Sequence, residues 1–186
     1  FLRAMRTLVN VIPEAEGWIA GPEVEDKDYA KECRGLVASL GLEKNVKFLG
    51  FQKIDELLPK VGVIVLSSIS EALPLVLLEG FAAGVPAVST DVGSCRQLIE
   101  GLDEDDRAYG KAGEVVGIAD PEALGNAVAQ LLKDKDAWFQ AQQAGIRRVE
   151  NLYTQEMMFG AYRDLYRSLL DDSGIAASAS NTEGRH

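Results

Sequence analysis

Short apolar runs that alternate with segments of helical periodicity constrain this fold more than any other feature of the sequence. The runs lie at residues 17–20, 46–50, 63–66, 85–89 and 115–118. The segments predicted as helices are 1–12, 26–40, 54–58, 74–83, 94–100, 120–133, 134–151 and 155–171. Val63–Leu66 is continuously β-branched or aliphatic, as in a central parallel strand. The alternation predicts an α/β domain over residues 1–172, with a doubly wound, Rossmann-like parallel sheet.

The candidate chemistry follows from this topology. In a doubly wound sheet the ligand crevice lies beyond the carboxyl ends of the strands, so loops 21–25, 50–53, 67–74 and 90–94 are the places to search. The chain opens inside a helix without an initiator methionine, which indicates a piece of a longer protein. The small, polar segment 173–186 is predicted to be a disordered tail.

Charge and residue usage exclude several classes of function. Asp and Glu outnumber Lys and Arg by 29 to 19, giving a net charge of −10, so a nucleic-acid-binding face is not expected. Cys33 and Cys95 are solitary and His186 is the only histidine, which argues against a zinc site and a histidine-dependent nucleophile. The acidic patch at 103–106 is interpreted as a solvated loop, with an ion site as the alternative.

No feature of the sequence predicts a membrane protein. No apolar run approaches the roughly 20 residues of a membrane span. The first residues have helical spacing rather than the pattern of a signal peptide, and two isolated thiols suit a reducing cytoplasm. In the final helix, apolar residues such as Met158, Tyr162 and Leu165 either pack on their own domain or form a docking face for another lobe.

The segment from Ser67 to Ser94 carries the most chemical information. A helix that starts at Pro74 leaves its first amide groups, at Leu75 and Val76, without intrahelical partners, and with the helix dipole they form an anion site. Glu71 stands before this site, and Glu79 lies five residues, or about 7.5 Å, beyond Pro74 along the helix axis. This layout fits a sugar–diphosphate–ribose ligand, with sugar near Glu71 and ribose near Glu79.

Both glutamates also have simpler interpretations. Glu71 could be an ordinary loop acid, and Glu79 could be a solvated helix residue. However, the residues flanking Glu79 are apolar on all sides, which predicts a buried helix, and a buried carboxylate without a partner is costly.

The motif Glu71-Ala-Leu-Pro-Leu-Val-Leu-Leu-Glu79, followed by Gly80-Phe-Ala-Ala-Gly84-Val-Pro86, resembles the E-x₇-E motif of GT-B glycosyltransferases. Asn45-Val-Lys-Phe-Leu-Gly-Phe51 is similar to the strand and base-binding loop of the same proteins. The resemblance covers the chain to about Leu170 and is to the C-terminal, donor-binding domain of the retaining family four, also called glycosyl transferases group 1. Within that family the amino-acid sequence is most similar to the PelF enzymes of Pel exopolysaccharide synthesis.

The resemblance implies a retaining hexosyltransferase that uses a nucleotide sugar, such as UDP-glucose, without a metal or other cofactor. It implies that Glu71 is the catalytic residue and stabilises the transferred sugar without acting as a nucleophile, and that Glu79 binds ribose. The remaining implied contacts to the donor come from Ser70, Leu73, Pro74, Leu75 and Val76 near the diphosphate and sugar, and from Gly50, Phe51 and Gln52 at the base.

The same resemblance implies the partners. These are a nucleotide sugar, a saccharide acceptor, an N-terminal GT-B lobe that this chain lacks, and the inner-membrane proteins of Pel synthesis, with no nucleic acid among them. The expected location is the cytoplasm, at the periphery of the inner membrane. Competing interpretations are a GT-B nucleotide-sugar epimerase and a module that senses a nucleotide sugar without catalysis.

The chain departs from the family pattern in several places. The basic residues that relatives place on the diphosphate are expected before Phe1, and none lies between Val61 and Gly93, so the chain alone should bind donor weakly and transfer nothing. Gln97 stands where many relatives have Glu, and Ala72 and Pro74 replace glycines. A first strand would also precede Phe1, so the sheet should contain a gap.

Overall fold

The computed structural model describes residues 1–22 and 26–172, with only the backbone described for residues 171 and 172. The predicted tail 173–186, with His186, and residues 23–25 of the predicted loop 21–25 lie outside the described residues.

Helices make up most of the regular structure. They are α1 (Leu2–Val11), α2 (Lys27–Ser39), α3 (Ile54–Leu57), α4 (Leu75–Ala82), α5 (Cys95–Glu100), α6 (Glu104–Arg107), α7 (Pro121–Lys133), α8 (Lys135–Leu152) and α9 (Gln155–Asp172), with one 3₁₀ turn at Leu58–Lys60. Aspartates cap two of them: Asp26 accepts from the Tyr29 amide at the start of α2, and Asp120 accepts from the Ala123 amide at the start of α7.

The strands form two parallel sheets. The strands are β1 (Gly17–Ala20), β2 (Val46–Gly50), β3 (Ile64–Leu66), β4 (Ala87–Thr90) and β5 (Gly113–Val116). β1 pairs with β2, and a second sheet has the order β3-β4-β5, with every pair parallel. One apolar cluster contains residues from both sheets, including Ile19 and Val88. The predicted α/β fold is confirmed, and the division into two sheets agrees with the expected gap.

Three strands begin at different residues from those predicted, and β3 begins at Ile64, one residue later than predicted. β4 begins at Ala87 rather than at Val85, because the Val85 amide donates to the Gly80 carbonyl and ends α4, and Pro86 has no amide to pair. β5 begins at Gly113, two residues earlier than predicted. Gly113 has φ +150° and pairs with Ala87 so closely that a side chain there would collide with the Ala87 backbone.

The acidic patch 103–106 was predicted to be a solvated loop. This prediction is wrong, above all for Asp106. The patch forms α6, and Asp106 is buried against the fully buried guanidinium of Arg148. Arg148 also donates to four carbonyl oxygens, those of Leu98, Ile99, Asp106 and Gly110. The sequence shows four neighbouring acids, and only the tertiary structure brings a cation from α8 to one of them.

The chain divides into two compact units, residues 1–148 and 149–186. The described part of the second unit contains the end of α8 and α9, where the rings of Tyr162 and Tyr166 stack with centroids 6.4 Å apart. Both alternatives for the final helix therefore remain predictions. Among the helices of the described ranges, none combines the length and apolar character that a membrane crossing requires.

Candidate functional site

The loop between β3 and α4, residues 67–74, leads into a free helix N-terminus. Pro74 is the N-cap residue of α4, with extended φ and ψ of −74° and 100°, and its carbonyl accepts from the Leu77 amide at 3.1 Å. The amides of Leu75 and Val76 precede the intrahelical acceptors, as in any α-helix. The helix N-terminus that the sequence predicted is therefore present, with Pro74 one position earlier than the first helical residue, and its role as an anion site stays a prediction.

The last residue of β4, Thr90, and the loop after it, residues 91–94, contact the loop after β3. Thr90 Oγ1 donates to the Ser68 carbonyl oxygen at 2.6 Å, and Thr90 is buried. Ser94 donates to the Ala72 carbonyl oxygen twice, from its hydroxyl at 2.8 Å and from its amide at 3.0 Å. Gly93 has φ +50° and lies so close to the backbone of Glu71 and Ala72 that a Cβ atom would collide with both carbonyls.

Glu71 is half-buried in this loop and has a fixed orientation. Ser68 Oγ donates to Glu71 Oε1 at 2.7 Å, while the Ser68 carbonyl is itself held by Thr90. Glu71 Oε2 takes no part in this hydrogen bond and can accept from another group. The structure therefore presents one carboxylate, with a defined direction, directly before the N-terminus of α4.

Glu79 differs from its prediction. It was expected on a helix that is buried on all sides, but it is exposed, and Leu75, one turn earlier on the same face, is also exposed. α4 buries only its opposite side, through Leu77, Gly80 and Phe81. The inference that burial forces Glu79 to have a partner is therefore wrong, and Glu79 is available to a ligand from solvent.

Three large apolar side chains that lie close to Glu71 in the sequence are exposed. Ile69, Leu73 and Leu75 are 79%, 48% and 61% exposed, and Ser70 between them is exposed as well. Apolar side chains grouped in this way beside a polar site are typical of a surface that meets a ligand or another part of a protein.

The predicted base-binding loop lies at the end of a different sheet. Gly50 ends β2 with φ +64°, its carbonyl accepts from the Gly21 amide at 2.9 Å, and Gln52 Nε2 donates to Leu49 O at 2.7 Å. Phe51 is 79% exposed. Both loops lie at carboxyl ends of parallel strands, but no hydrogen bond recorded for residues 1–22 and 26–172 joins loop 50–52 to loop 67–74.

The segment that forms the loops after β3 and β4 contains no basic side chain between residues 61 and 95. The first basic residue after position 60 is Arg96, which forms hydrogen bonds with Asp91 and, one turn further along α5, with Glu100. These two carboxylates, Asp91 first, raise the pKa of Arg96. Across the described ranges, no group of three or more acidic, histidine or cysteine side chains could hold a metal ion.

Sequence reasoning located the two loops but missed the residues that connect them. Ser68, Gly93 and Ser94 follow the carboxyl ends of β3 and β4, Thr90 is the last residue of β4, and these strands are neighbours in the sheet. That shared position was the available signal, because polar residues at the ends of adjacent parallel strands meet at one edge.

Comparison with known proteins finds a matching family model and related sequences. The family model described as Glycosyl transferases group 1 matches residues 1–148. The N-acetyl-alpha-D-glucosaminyl L-malate synthase of Bacillus anthracis is 33% identical over 141 residues, which are 74% of this chain and 34% of that protein. The Exopolysaccharide phosphotransferase SCO2592 of Streptomyces coelicolor is 35% identical over 71% of this chain and 13% of that protein. The chain thus spans about a third or less of these relatives.

Solved structures share the fold. Anabaena Alr3699/HepE, solved in complex with UDP and glucose, superposes with a TM-score of 0.74 over 90% of this chain and 45% of that chain, at 19% sequence identity.

Proposed function

This chain belongs to the glycosyl transferases group 1 family, and we propose that it is the donor-binding part of a retaining glycosyltransferase. The donor is a nucleotide sugar, such as UDP-glucose. The observation that carries this proposal is the oriented carboxylate of Glu71 directly before the free N-terminus of α4.

The diphosphate binds at the N-terminus of α4. The amides of Leu75 and Val76 point toward the open end of the helix, where the helix dipole favours negative charge. The backbone of Ser70 and Leu73 forms the adjoining wall, while Pro74 has no amide to donate. The structural neighbour with UDP and glucose supports this choice of ligand, because it shares the fold over most of this chain.

Glu71 acts on the transferred sugar. Its free oxygen accepts from sugar hydroxyls, and its charge stabilises the positive character that develops on the sugar during transfer. The hydrogen bond from Ser68 fixes the direction of the carboxylate before the ligand arrives. Transfer proceeds with retention and without a protein nucleophile or a metal ion.

The nucleoside is held at two places, through its ribose and through its base. Glu79, which is exposed on the face of α4 that carries Leu75, accepts from the ribose hydroxyls. The loop formed by Gly50, Phe51 and Gln52 binds the base, and the exposed ring of Phe51 gives it an apolar surface to contact.

The acceptor and the complete reaction belong to a longer protein. The relatives are more than twice the length of this chain, and one of them is an exopolysaccharide phosphotransferase. We infer that a further lobe binds the acceptor and that the product is an exopolysaccharide, with PelF of Pel synthesis as the most specific assignment. The complete enzyme is cytoplasmic and works with inner-membrane proteins of that synthesis.

Calorimetry of the 186-residue chain with UDP in the presence of EDTA tests donor binding. UDP should bind more tightly than uridine, because only UDP reaches the α4 amides. Glu79→Gln should weaken UDP binding by about tenfold to a hundredfold, the loss of a hydrogen bond to a charged group. Glu43→Gln, at another exposed acid, is the matched control and should bind like the parent chain.

Turnover of the complete protein tests the catalytic role. Glu71→Gln should lower kcat at least a hundredfold and leave UDP affinity nearly unchanged, since Glu71 contacts sugar rather than nucleotide. Turnover that survives Glu71→Gln would assign the chain to a sensing module, and release of a free epimerised sugar nucleotide would assign it to an epimerase. A strict requirement for a divalent metal would also contradict the proposal.

A further inference from the structure

The helix α8 contacts both of the helices that follow the loops of the candidate site. α4 follows the loop of Glu71, and α5 follows the loop after β4. Gln142 of α8 donates from Nε2 to the carbonyl oxygen of Gly84, just beyond α4, at 2.9 Å. Gly145 of α8 packs so closely on Phe81 of α4 that an added Cβ atom would lie 3.1 Å from that side chain. The rear of α4 is therefore fixed to α8.

Arg148, also on α8, holds the carboxyl end of α5. An α-helix leaves its last four carbonyl groups without intrahelical donors. In α5 two of these carbonyls, those of Leu98 and Ile99, accept from Arg148 Nη1 at 3.3 Å and 2.9 Å. The other nitrogens of the guanidinium donate to Asp106 and to the Gly110 carbonyl oxygen. The guanidinium therefore has a fixed place, and it fixes the end of α5 in turn.

The amino end of α5 holds the loop of Glu71. Ser94 is the N-cap residue of α5, but its side chain does not cap that helix. Its hydroxyl and its amide both donate to the Ala72 carbonyl oxygen, at 2.8 Å and 3.0 Å. α5 itself is only six residues long, a rise of about 9 Å, and three of its side chains are fully buried. Because this short helix is bound at both ends, the position of Ala72 depends on that of Arg148.

Burial of a charged pair is not the usual way to stabilise a core. Arg148 is fully buried and Asp106 is nearly so. Removing such charges from water is costly, and apolar residues of similar volume often give equal or greater stability. An apolar side chain at position 148, however, could not donate to the carbonyl groups at the end of α5. The hydrogen bonds to α5, rather than burial itself, are therefore what Arg148 contributes.

We propose that Arg148 is a positioning residue for Glu71, and that it fixes the loop of this carboxylate through α5 and Ser94. The inference rests on the proposed function, because it takes Glu71 as the group that acts on the transferred sugar. A small displacement of such a group lowers turnover strongly. α4 is held separately, through Gln142 and its own buried side chains. Loss of Arg148 should therefore affect turnover more than it affects nucleotide binding.

The test compares Arg148→Lys with Leu42→Ala in the complete protein. Lysine keeps the positive charge beside Asp106, but its single ammonium group cannot span the carbonyls that the guanidinium fork reaches. Leu42 is fully buried, so its truncation lowers stability, and among the described residues its apolar cluster includes none from α5. At a temperature at which both variants are folded, Arg148→Lys should lower kcat about tenfold and change UDP affinity less than about threefold. Leu42→Ala should change neither.

A second variant shows whether the effect passes through α5. Ser94→Ala removes the hydroxyl hydrogen bond to Ala72 and leaves the amide in place. If Arg148 acts through Ser94, the double variant should lose about as much kcat as the more affected single variant. Losses that multiply in the double variant would overturn the route through α5. An unchanged kcat in Arg148→Lys, or an equal loss in Leu42→Ala, would overturn the positioning role.

Hydrogen exchange in the 186-residue chain tests the coupling without turnover. The Ser94 amide should lose protection about tenfold or more in Arg148→Lys relative to Leu42→Ala. If Arg148→Lys does not fold, Asp106→Asn replaces it, because it keeps the shape of the side chain and removes the charge that holds the guanidinium.

Each result of the exchange experiment has one meaning. Unchanged protection at Ser94 in the folded variant, or failure of both variants to fold, would overturn the inference. If the parent chain does not bind UDP but Ser94 loses protection as expected, the proposed function is refuted, and Arg148 still positions the loop.

Discussion

Replacement of Gly93 by alanine tests how strongly the loop that contains Glu71 depends on its contact with the loop after β4. A Cβ atom at Gly93 would lie 2.7 Å from the Ala72 carbonyl oxygen and closer still to that of Glu71, whereas real Cβ contacts are rarely under 3.0 Å. The Ala72 carbonyl must therefore move by at least 0.3 Å and the Glu71 carbonyl farther, and both belong to backbone that has little freedom to give way.

The expected energetic cost has two parts. A non-glycine residue at φ +50° costs about 1–2 kcal/mol in backbone strain. Displacement of Ala72 also weakens the two hydrogen bonds that Ser94 donates to it, each worth about 1 kcal/mol. Gly93→Ala should therefore lower the free energy of unfolding by about 2–4 kcal/mol. It should also shift Glu71 and the N-terminus of α4, and so weaken UDP binding by about tenfold.

Urea unfolding and calorimetry with UDP measure the two effects. Gly117→Ala is the matched control, because no heavy atom lies within 4 Å of its added Cβ and its φ is ordinary for an L residue. The control should bind UDP like the parent chain. If Gly93→Ala folds with parent stability and binds UDP as tightly as the control, the contact between the two loops does not organise the site, and the reasoning is refuted.

Three further predictions concern burial, charge and loop support. Arg148→Met should lower the free energy of unfolding by about 3–5 kcal/mol in urea titrations, because it leaves a buried carboxylate unpaired. Burial raises the pKa of Glu100, but hydrogen bonds from Lys111 and Arg96 outweigh it and hold that pKa below 4.5. This stabilisation is therefore complete above pH 4.5 and lost as the pH falls, and Glu100→Gln should flatten the acid limb of the pH–stability curve. Thr90→Val should lower kcat of the complete protein several-fold, because the loop that carries Glu71, the carboxylate proposed to act on the sugar, loses its hydrogen bond at 2.6 Å.

Each of these has a control or a contrary result. Arg163→Met, at an exposed arginine, should change stability by no more than about 0.5 kcal/mol, and an equal effect at both arginines would contradict the role of the buried pair. Glu43→Gln should leave the acid limb unchanged. An unaltered kcat in Thr90→Val would show that the loop is positioned without this hydrogen bond.

Local sequence patterns were sufficient to predict much of the fold, because the interactions that they reflect act between residues close together in the chain. The continuous apolar run that contains β3, the proline before α4 and the glycine after it all act within a few residues, and their elements form close to where they were predicted. Asp26 and Asp120 cap their helices through amides three residues away. The E-x₇-E motif placed Glu71 before a helix N-terminus for the same reason.

The sequence by itself therefore determined the alternation of strands and helices, the edge of the sheet that carries the site, and the family. Only the tertiary structure decided which groups meet across long separations in the chain. It buried Asp106 against Arg148, left Glu79 on an open face of α4, and connected Thr90 and Ser94 to the loop of Glu71. Periodicity specifies which side of an element is apolar, but burial and partners depend on what packs against it, and that information is distributed over the whole chain.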